Sequence, residues 1–379
     1  MSKIWTNSGD SHFLEPADLW ESRLPARLAE LTPKSEADAD GEYETVHVDG
    51  QSFRRKLPTS AAVEFLEESR KAQGIRDAKV RLTDLDHEGV WGEVIFPSLG
   101  MWASTFRTPE LLRACLRAGN EWALEEIAAV SPRYVVTAQI PTLLVEDAVA
   151  ELEWAAEQGF KAVFLPTTPH ASAPDWHRKE WEPLWDAAER ARMVLAIHIG
   201  TDPVDMASGG VGVVYRGPGG AVMNYAESTF SGQRAAMKLV ASGALDRHPD
   251  LKVLISEGGA TWIPFLGDRM REGYRQHHRS VRPKLSRDPK DILMTQVYAS
   301  FQHDETAVAA YESMGYRNVM FGSDYPHMEG TYGHTQDTLK QLFDGVSEEV
   351  RLRITQGAFY ELFPGVPPVP ADEPGQSIR

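Results

Sequence analysis

Eight short apolar runs separated by longer stretches of helical periodicity organise the chain, and that alternation limits the folds open to it. The runs are the segment entering Asp10-Ser11-His12, then Val90–Pro97, Tyr134–Pro141, Lys161–Pro166, Val194–Gly200, Lys252–Gly258, Gln296–Phe301 and Asn318–Asp324. A parallel strand buried on both faces reads as an unbroken β-branched run, and each parallel neighbour needs a crossover of a dozen residues or so. Pro109–Val130, Val145–Gln158, Trp181–Arg190 and Tyr225–Ser242 have the amphipathic pattern such crossovers require. Eight βα units predict an α/β chain closed into a distorted (β/α)8 TIM barrel rather than an open doubly wound sheet. A dinucleotide-binding sheet would also need Gly-x-Gly-x-x-Gly after its first strand, and none is present. The 379 residues suit one such domain, 1–379, with insertions.

Three stretches stand outside the repeat. Residues 26 to about 75 read as an insertion after the first strand, with alternation around Asp49-Gly50 predicting a hairpin. Residues 201–224 form a Gly-rich loop after the fifth strand, expected to act as a substrate lid; no Gly-Lys-Ser/Thr follows, so it is no phosphate cradle. The tail, 364–379, is Pro-rich, expected to be extended and to pack on a neighbouring subunit.

Composition excludes several function classes. Lys and Arg number 39 against 55 Asp and Glu, a net charge of −16, so no cationic surface offers itself to a nucleic-acid backbone. The single cysteine, Cys115, excludes an intrachain disulfide or a Cys-x-x-Cys site, and its surroundings place it inside a helix. No apolar window approaches the ~18 residues of a membrane span, and the N-terminus lacks a signal-like apolar core, so the expectation is a cytoplasmic protein.

The chemistry lies where the apolar runs stop. Gly9-Asp10-Ser11-His12 puts Asp10 and His12 on one face of the first strand by their i, i+2 spacing. The fifth run, Val194–Gly200, is interrupted by His198 alone, and the eighth ends on Asp324. A lone strand histidine is more often a hydrogen-bonded core residue than a ligand, but polar groups at three strand ends of one barrel call for a shared partner. In a closed barrel the eighth strand neighbours the first. Asp10, His12, His198 and Asp324 could then hold one divalent metal, zinc first, with manganese or iron as the alternatives, and a metal acidifies its bound water. Glu257 ends the sixth run, placed for acid or base work, or else satisfied by a neighbouring Arg or backbone amides, with ligation of the metal as a third option.

These residues resemble the amidohydrolase superfamily, in the branch that includes aminocarboxymuconate semialdehyde decarboxylase and γ-resorcylate decarboxylase. The carriers are Asp10–Pro16 with Asp18-Leu19-Trp20, Asn120-Glu121-Trp122, His198-Ile199-Gly200, Pro249–Lys252, Ser256–Gly259 with Trp262 and Pro264, and Phe321–His327. The resemblance implies a distorted barrel with one divalent metal on Asp10, His12, His198 and Asp324. It also implies two departures: decarboxylases of the branch carry His-x-His or Glu-x-His where this chain has Asp10-x-His12, and a catalytic histidine where it has Glu257.

A carboxylate in that place suits water activation, so the leading expectation is a metal-dependent hydrolase of a small organic acid, cyclic amide or aromatic ring-cleavage product. Glu257, Asp324 and His327 would be its catalytic groups. The alternative is a metal-dependent, non-oxidative decarboxylase of a carboxylated aromatic or muconate-like substrate, and a third reading is a metal-free binding barrel. Trp102, Arg107, Arg216 and His303, in loops of the active face, are the substrate-binding candidates, with Phe106 and Tyr215 beside them. Glu15 reads either as a group orienting a ligand histidine or as a helix-start carboxylate, and Asn120 as structural. The expected partners are a small-molecule substrate and a second copy in a homodimer, with neither nucleic acid nor membrane.

Overall fold

The computed structural model describes residues 3–57, 64, 67, 71–202, 215 and 217–370. Its first strand is broken into β1 (Thr6–Ser8) and β2 (His12–Phe13), and an antiparallel sheet follows, β3 (Lys34–Ala37), β4 (Tyr43–Val48) and β5 (Gln51–Lys56). The remaining strands are β6 (Val90–Pro97), β7 (Tyr134–Gln139), β8 (Ala162–Leu165), β9 (Val194–His198), β10 (Val253–Ser256), β11 (Val297–Phe301) and β12 (Val319–Phe321). They pair in parallel in the order β1, β6, β7, β8, β9, β10, β11, β12, with β2 also on β6. A parallel bridge between Ser11 and Tyr325 closes the ring. The chain is thus a (β/α)8 barrel, nearly closed, and each expected run supplies one barrel position.

The period of two along each strand divides the apolar residues between two cores. Val94, Phe96, Val135, Ala162, Phe164, Val194, Ala196, Leu254, Tyr298 and Met320 fill the barrel interior. Leu195, Ile197, Val253, Ile255 and Val319 instead pack outward on the helices. Phe359 of the last helix, Ala358–Leu362, and Phe363 and Val366 beyond it join the inner core. There the start of the tail is anchored: Trp91 Nε1 donates to Pro367 O at 2.8 Å and Val369 N to Tyr360 Oη at 2.9 Å, so residues 364–370 contact their own barrel. Its remaining residues lie outside those described.

In the stretch after the first strand, β4 and β5 turn at Asp49 and Gly50, with φ of +48° and +71°, the left-handed pair a two-residue hairpin needs. Cys115 is buried in helix Pro109–Ala123, and burial pushes its thiol up to about 12, which leaves it unreactive. Asn120 sits on the same helix, donating to Gln139 O at 3.0 Å and accepting from Gln139 N at 2.7 Å. Asn120→Ala leaves both buried backbone groups unpartnered. The expected outcome is a loss of about 2–4 kcal/mol in a denaturant titration, with unchanged activity per folded molecule. Among the described residues no helix is long and apolar enough to cross a membrane.

Candidate metal centre

The inward alternation that buries Val194 and Ala196 carries the next inward position, His198, to the mouth of the barrel. Its Nδ1 donates to Ile199 O at 2.7 Å, which fixes the tautomer and leaves Nε2 aimed at Asp10 Oδ1, 3.1 Å away. Asp10 comes from the break between β1 and β2, where it is fully buried. Gly322 makes room for it, because a Cβ there would stand 2.9 Å from Asp10 Cβ. His12 opens β2 with Nε2 at 3.3 Å from Asp324 Oδ1 and 3.7 Å from Asp10 Oδ1. Asp324, past the end of β12, lies at φ +51°, and its amide donates to Asp10 O at 3.0 Å across the barrel seam.

The structure therefore brings Asp10, His12, His198 and Asp324 together. Three of their buried polar atoms, Asp10 Oδ2, His12 Nε2 and Asp324 Oδ2, have no hydrogen bond of acceptable geometry. Orphaned buried groups of this kind are rare, and two imidazoles and two carboxylates gathered at one barrel mouth are the donor types a divalent cation takes. Ligand atoms of Asp10, His12 and His198 lie within 4.8 Å of one another, as do those of Asp10, Glu257 and Asp324 and those of His12, Asp324 and His327. The residues present fit a metal, and Glu257 and His327 stand at its edge.

Glu257 is carried there by register. Ser256 pairs with His198 in the parallel ladder, so the next residue leaves β10 beside the imidazole, with Oε2 at 3.6 Å from His198 Nε2. Its φ of +59° is costly for a non-glycine residue and marks a backbone held in place by its surroundings, here partly by Ser300 Oγ, which accepts its amide at 2.9 Å. His327 reaches back by three residues to place Nδ1 at 2.8 Å from Asp324 Oδ1.

Electrostatics at the site are dominated by burial. It pushes the Glu257 carboxyl up to about 8, with the charges of Asp324 and Asp10 adding to the effect and those of His198 and His327 opposing it. Burial also raises Asp10. His12 is driven down to about 3, by burial first and then by the charge of His327. Burial opposes the charged forms of His198 and His327, but Asp10 holds the first up at about 10 and Asp324 the second at about 9. Asp324 stays low despite burial because His12 lies 3.3 Å away and His327 bonds it. The centre thus offers anionic oxygen, a neutral imidazole in His12, and a carboxyl at Glu257 biased toward its acid form.

The substrate-binding candidates are more dispersed. Trp102 packs against the core with the Arg55 guanidinium 5.5 Å from its ring centre. Phe106 is buried edge-on to Trp20, while Arg107 is exposed and its amide is held by Asp49 Oδ2 at 2.5 Å. His303 is exposed, stacks on His334 at 5.8 Å and contacts Glu329 O, apart from the grouped ligand atoms. Tyr215 is 38% exposed, whereas Arg216 and most of the expected lid, residues 203–214, lie outside the described residues. Glu15 neither touches the ligands nor begins its own helix; it accepts the amides of Ser98 and Leu99 at 3.1–3.3 Å, while burial pushes it up to about 7.

Sequence reasoning missed a small cavity beside Gly200 and Thr201, lined also by Gln139, Thr142, Phe164 and His170. These residues come from the ends of strands and from the loops after them, with Asp202 beside them, and only the closed barrel gathers them. It missed Arg81 and Glu93 as well, although a charge inside the apolar run Val90–Pro97 was a signal that a buried partner had to exist.

Fold and centre together define a (β/α)8 barrel built around a candidate metal site at the C-terminal ends of its strands. A family model described as amidohydrolase matches residues 96–364, and the chain belongs to that family of enzymes. Over 276 residues it is 26% identical to a 6-methylsalicylic acid decarboxylase of Penicillium expansum, covering 72% of this chain and 80% of that one. It is also 28% identical over 193 residues to the decarboxylase yanB of Aspergillus niger, spanning 48% of this chain and about half, 49%, of the relative. An amidohydrolase structure from Mycobacterium avium subsp. paratuberculosis superimposes with a TM-score of 0.74 at 17% identity, covering 96% of this chain and 98% of that one. A dihydroxybenzoic acid decarboxylase from Polaromonas, solved with bound manganese and the inhibitor 2-nitroresorcinol, gives 0.59 at 19% identity, with coverages of 95% and 97%.

These comparisons correct the expectation of hydrolysis, since both curated relatives are decarboxylases. The reasoning from Glu257 failed for a physical reason. A carboxyl at a strand end shows that a proton is handled there, but whether it is given or taken depends on the substrate and on surroundings the sequence does not display.

Proposed function

We propose that the protein is a metal-dependent, non-oxidative decarboxylase of a small aromatic acid whose carboxylate stands next to a ring hydroxyl. The observation that carries this reading is the convergence of Asp10, His12, His198 and Asp324, with three unpartnered buried atoms, in a chain whose curated relatives are decarboxylases. Asp10, His12, His198 and Asp324 would hold the ion, zinc or manganese, which when bound supplies a positive charge for anchoring a carboxylate and its neighbouring oxygen.

The chain's own residues supply the rest. Phe164 lines the small cavity and is backed by the buried Phe96, edge to face at 5.6 Å, whose ring lies 4.9 Å from that of His198, so an aromatic surface borders the mouth. The cavity past Phe164 offers the neutral groups Gln139, Thr142 and His170 and no cationic side chain among its lining, which favours a substrate with one carboxylate over a diacid. Glu257 gives its proton to the ring carbon that bears the carboxylate. The bond from that carbon to the carboxylate then breaks, its electron pair returns to the ring, and CO₂ leaves with one proton consumed. His327 holds Asp324 in place while charge shifts through the ring.

Salicylates, dihydroxybenzoates and carboxylated muconates are incubated with the metal-loaded protein in deuterium oxide containing ¹⁸O. The reading expects CO₂ and one deuteron on the carbon that carried it. A product with ¹⁸O and no CO₂ would sink it. The homodimer carries over as a proposal, supported by the exposed Val222, Tyr225 and Phe230 on helix Gly220–Ala241; light scattering reads the mass directly.

A further inference from the structure

Beneath the centre, on the outer side of the barrel wall, lies an ion pair that the proposed chemistry does not use. Glu93 faces outward from β6, between the inward-facing Gly92 and Val94, and meets Arg81 of the preceding helix, Ala78–Glu88. Both side chains have no exposed surface. Arg81 Nε and Nη2 donate to the two Glu93 carboxylate oxygens at 2.5 and 3.0 Å, and the remaining nitrogen, Nη1, donates to the backbone carbonyl of His12 at 2.6 Å. The face of the same guanidinium lies 4.4 Å from the ring centre of Tyr325. One turn along the helix, Asp84 accepts the Tyr325 hydroxyl at 2.8 Å.

His12 and Tyr325 are the two sides of the seam where the barrel closes. His12 N donates to Tyr325 O at 2.6 Å, and the Ser11–Tyr325 bridge lies beside it. His12 is a candidate ligand, and Tyr325 follows the candidate ligand Asp324. Elsewhere the ring is held by ladders of several residues, but here β1, β2 and β12 are only two or three residues long. A buried ion pair is a poor device for stability, because replacing both partners with apolar groups of similar size is often neutral or better. A guanidinium is a good device for geometry, since its rigid fork binds one carboxylate on two nitrogens and leaves a third for a carbonyl.

We infer that Arg81, held by Glu93, is the positioning residue of the metal centre: through the His12 carbonyl and the Tyr325 ring it sets the spacing at which His12 and Asp324 meet. The inference rests on the metal centre proposed above. Such groups behind a ligand typically change metal affinity by about 10–100-fold.

The test compares wild type with Arg81→Lys and with the double variant Arg81→Met, Glu93→Leu, each stripped with a chelator and titrated with Zn²⁺ and Mn²⁺. Arg81→Lys keeps the charge opposite Glu93 but cannot reach both carboxylate oxygens and the carbonyl at once. The double variant removes both charges, so neither is left buried alone. Expected are melting temperatures near wild type for the apo proteins, metal binding about 10–100-fold weaker in both variants, and an altered visible spectrum of bound Co²⁺. Wild-type affinity and spectrum in either folded variant would overturn the assignment, as would failure of both to fold, which would make the pair a support of the barrel alone. Absence of metal binding by wild type would instead overturn the centre itself.

Discussion

Asp324→Asn is expected to abolish the proposed decarboxylation while leaving the barrel folded. The substitution keeps the volume of a fully buried side chain and its φ of +51°, which asparagine tolerates better than most residues, so the backbone across the seam has no reason to move. What changes is charge. Asp324 is the anion that both His12 and His327 contact, at 3.3 and 2.8 Å, and it is one of two carboxylates in the candidate ligand set. A neutral amide is a far weaker ligand for a hard divalent ion. If the bound ion contributes several kcal/mol to stabilising the transition state, its loss lowers kcat by roughly a thousandfold or more. Elemental analysis should find the metal content collapsed, and thermal melting should stay close to that of metal-stripped wild type. Full metal content with full activity would remove Asp324 from the site.

Glu257→Gln is expected to separate proton transfer from metal binding. The side chain sits 3.6 Å from His198 at the edge of the cluster, and its amide isostere keeps both shape and the backbone bond to Ser300. The amide cannot deliver a proton to carbon. General acid catalysis is worth about 10²–10⁴-fold, so kcat should fall by that range with KM little changed and about one metal per chain retained. A variant that loses metal instead would make Glu257 a ligand. One that keeps its rate would pass the proton-donor role to His327, the other titratable group at the edge.

Much of the barrel was legible because strands buried on both faces must be apolar, and the exceptions then stand out. His198 interrupting Val194–Gly200 and Asp324 ending the last run needed no structure to be noticed. The boundaries were less legible: the eighth run, Asn318–Asp324, keeps only Val319–Phe321 as strand, because its polar end bends into the site. The break between β1 and β2 was hidden for a similar reason, since two- and three-residue strands leave too short a pattern for a period to show. Arg81 escaped because an arginine in a polar helix, Ala78–Glu88, reads as a solvated face; only tertiary packing puts it against Glu93, twelve positions on in the chain. The direction of chemistry at Glu257 was unreadable from sequence, because it depends on which charges the fold crowds around the carboxyl.

The claim at the centre of this account is that one divalent ion, held by Asp10, His12, His198 and Asp324, supports loss of CO₂ from a hydroxylated aromatic acid. The most direct test follows CO₂ release from 6-methylsalicylate or 2,6-dihydroxybenzoate by protein stripped with a chelator and then given back Zn²⁺ or Mn²⁺ in steps. The account predicts no CO₂ from the stripped protein and a rate that rises to a plateau at one equivalent per chain. CO₂ release that survives stripping, or a saturated metal site that turns over neither acid nor any related hydroxyarenecarboxylate, would contradict it.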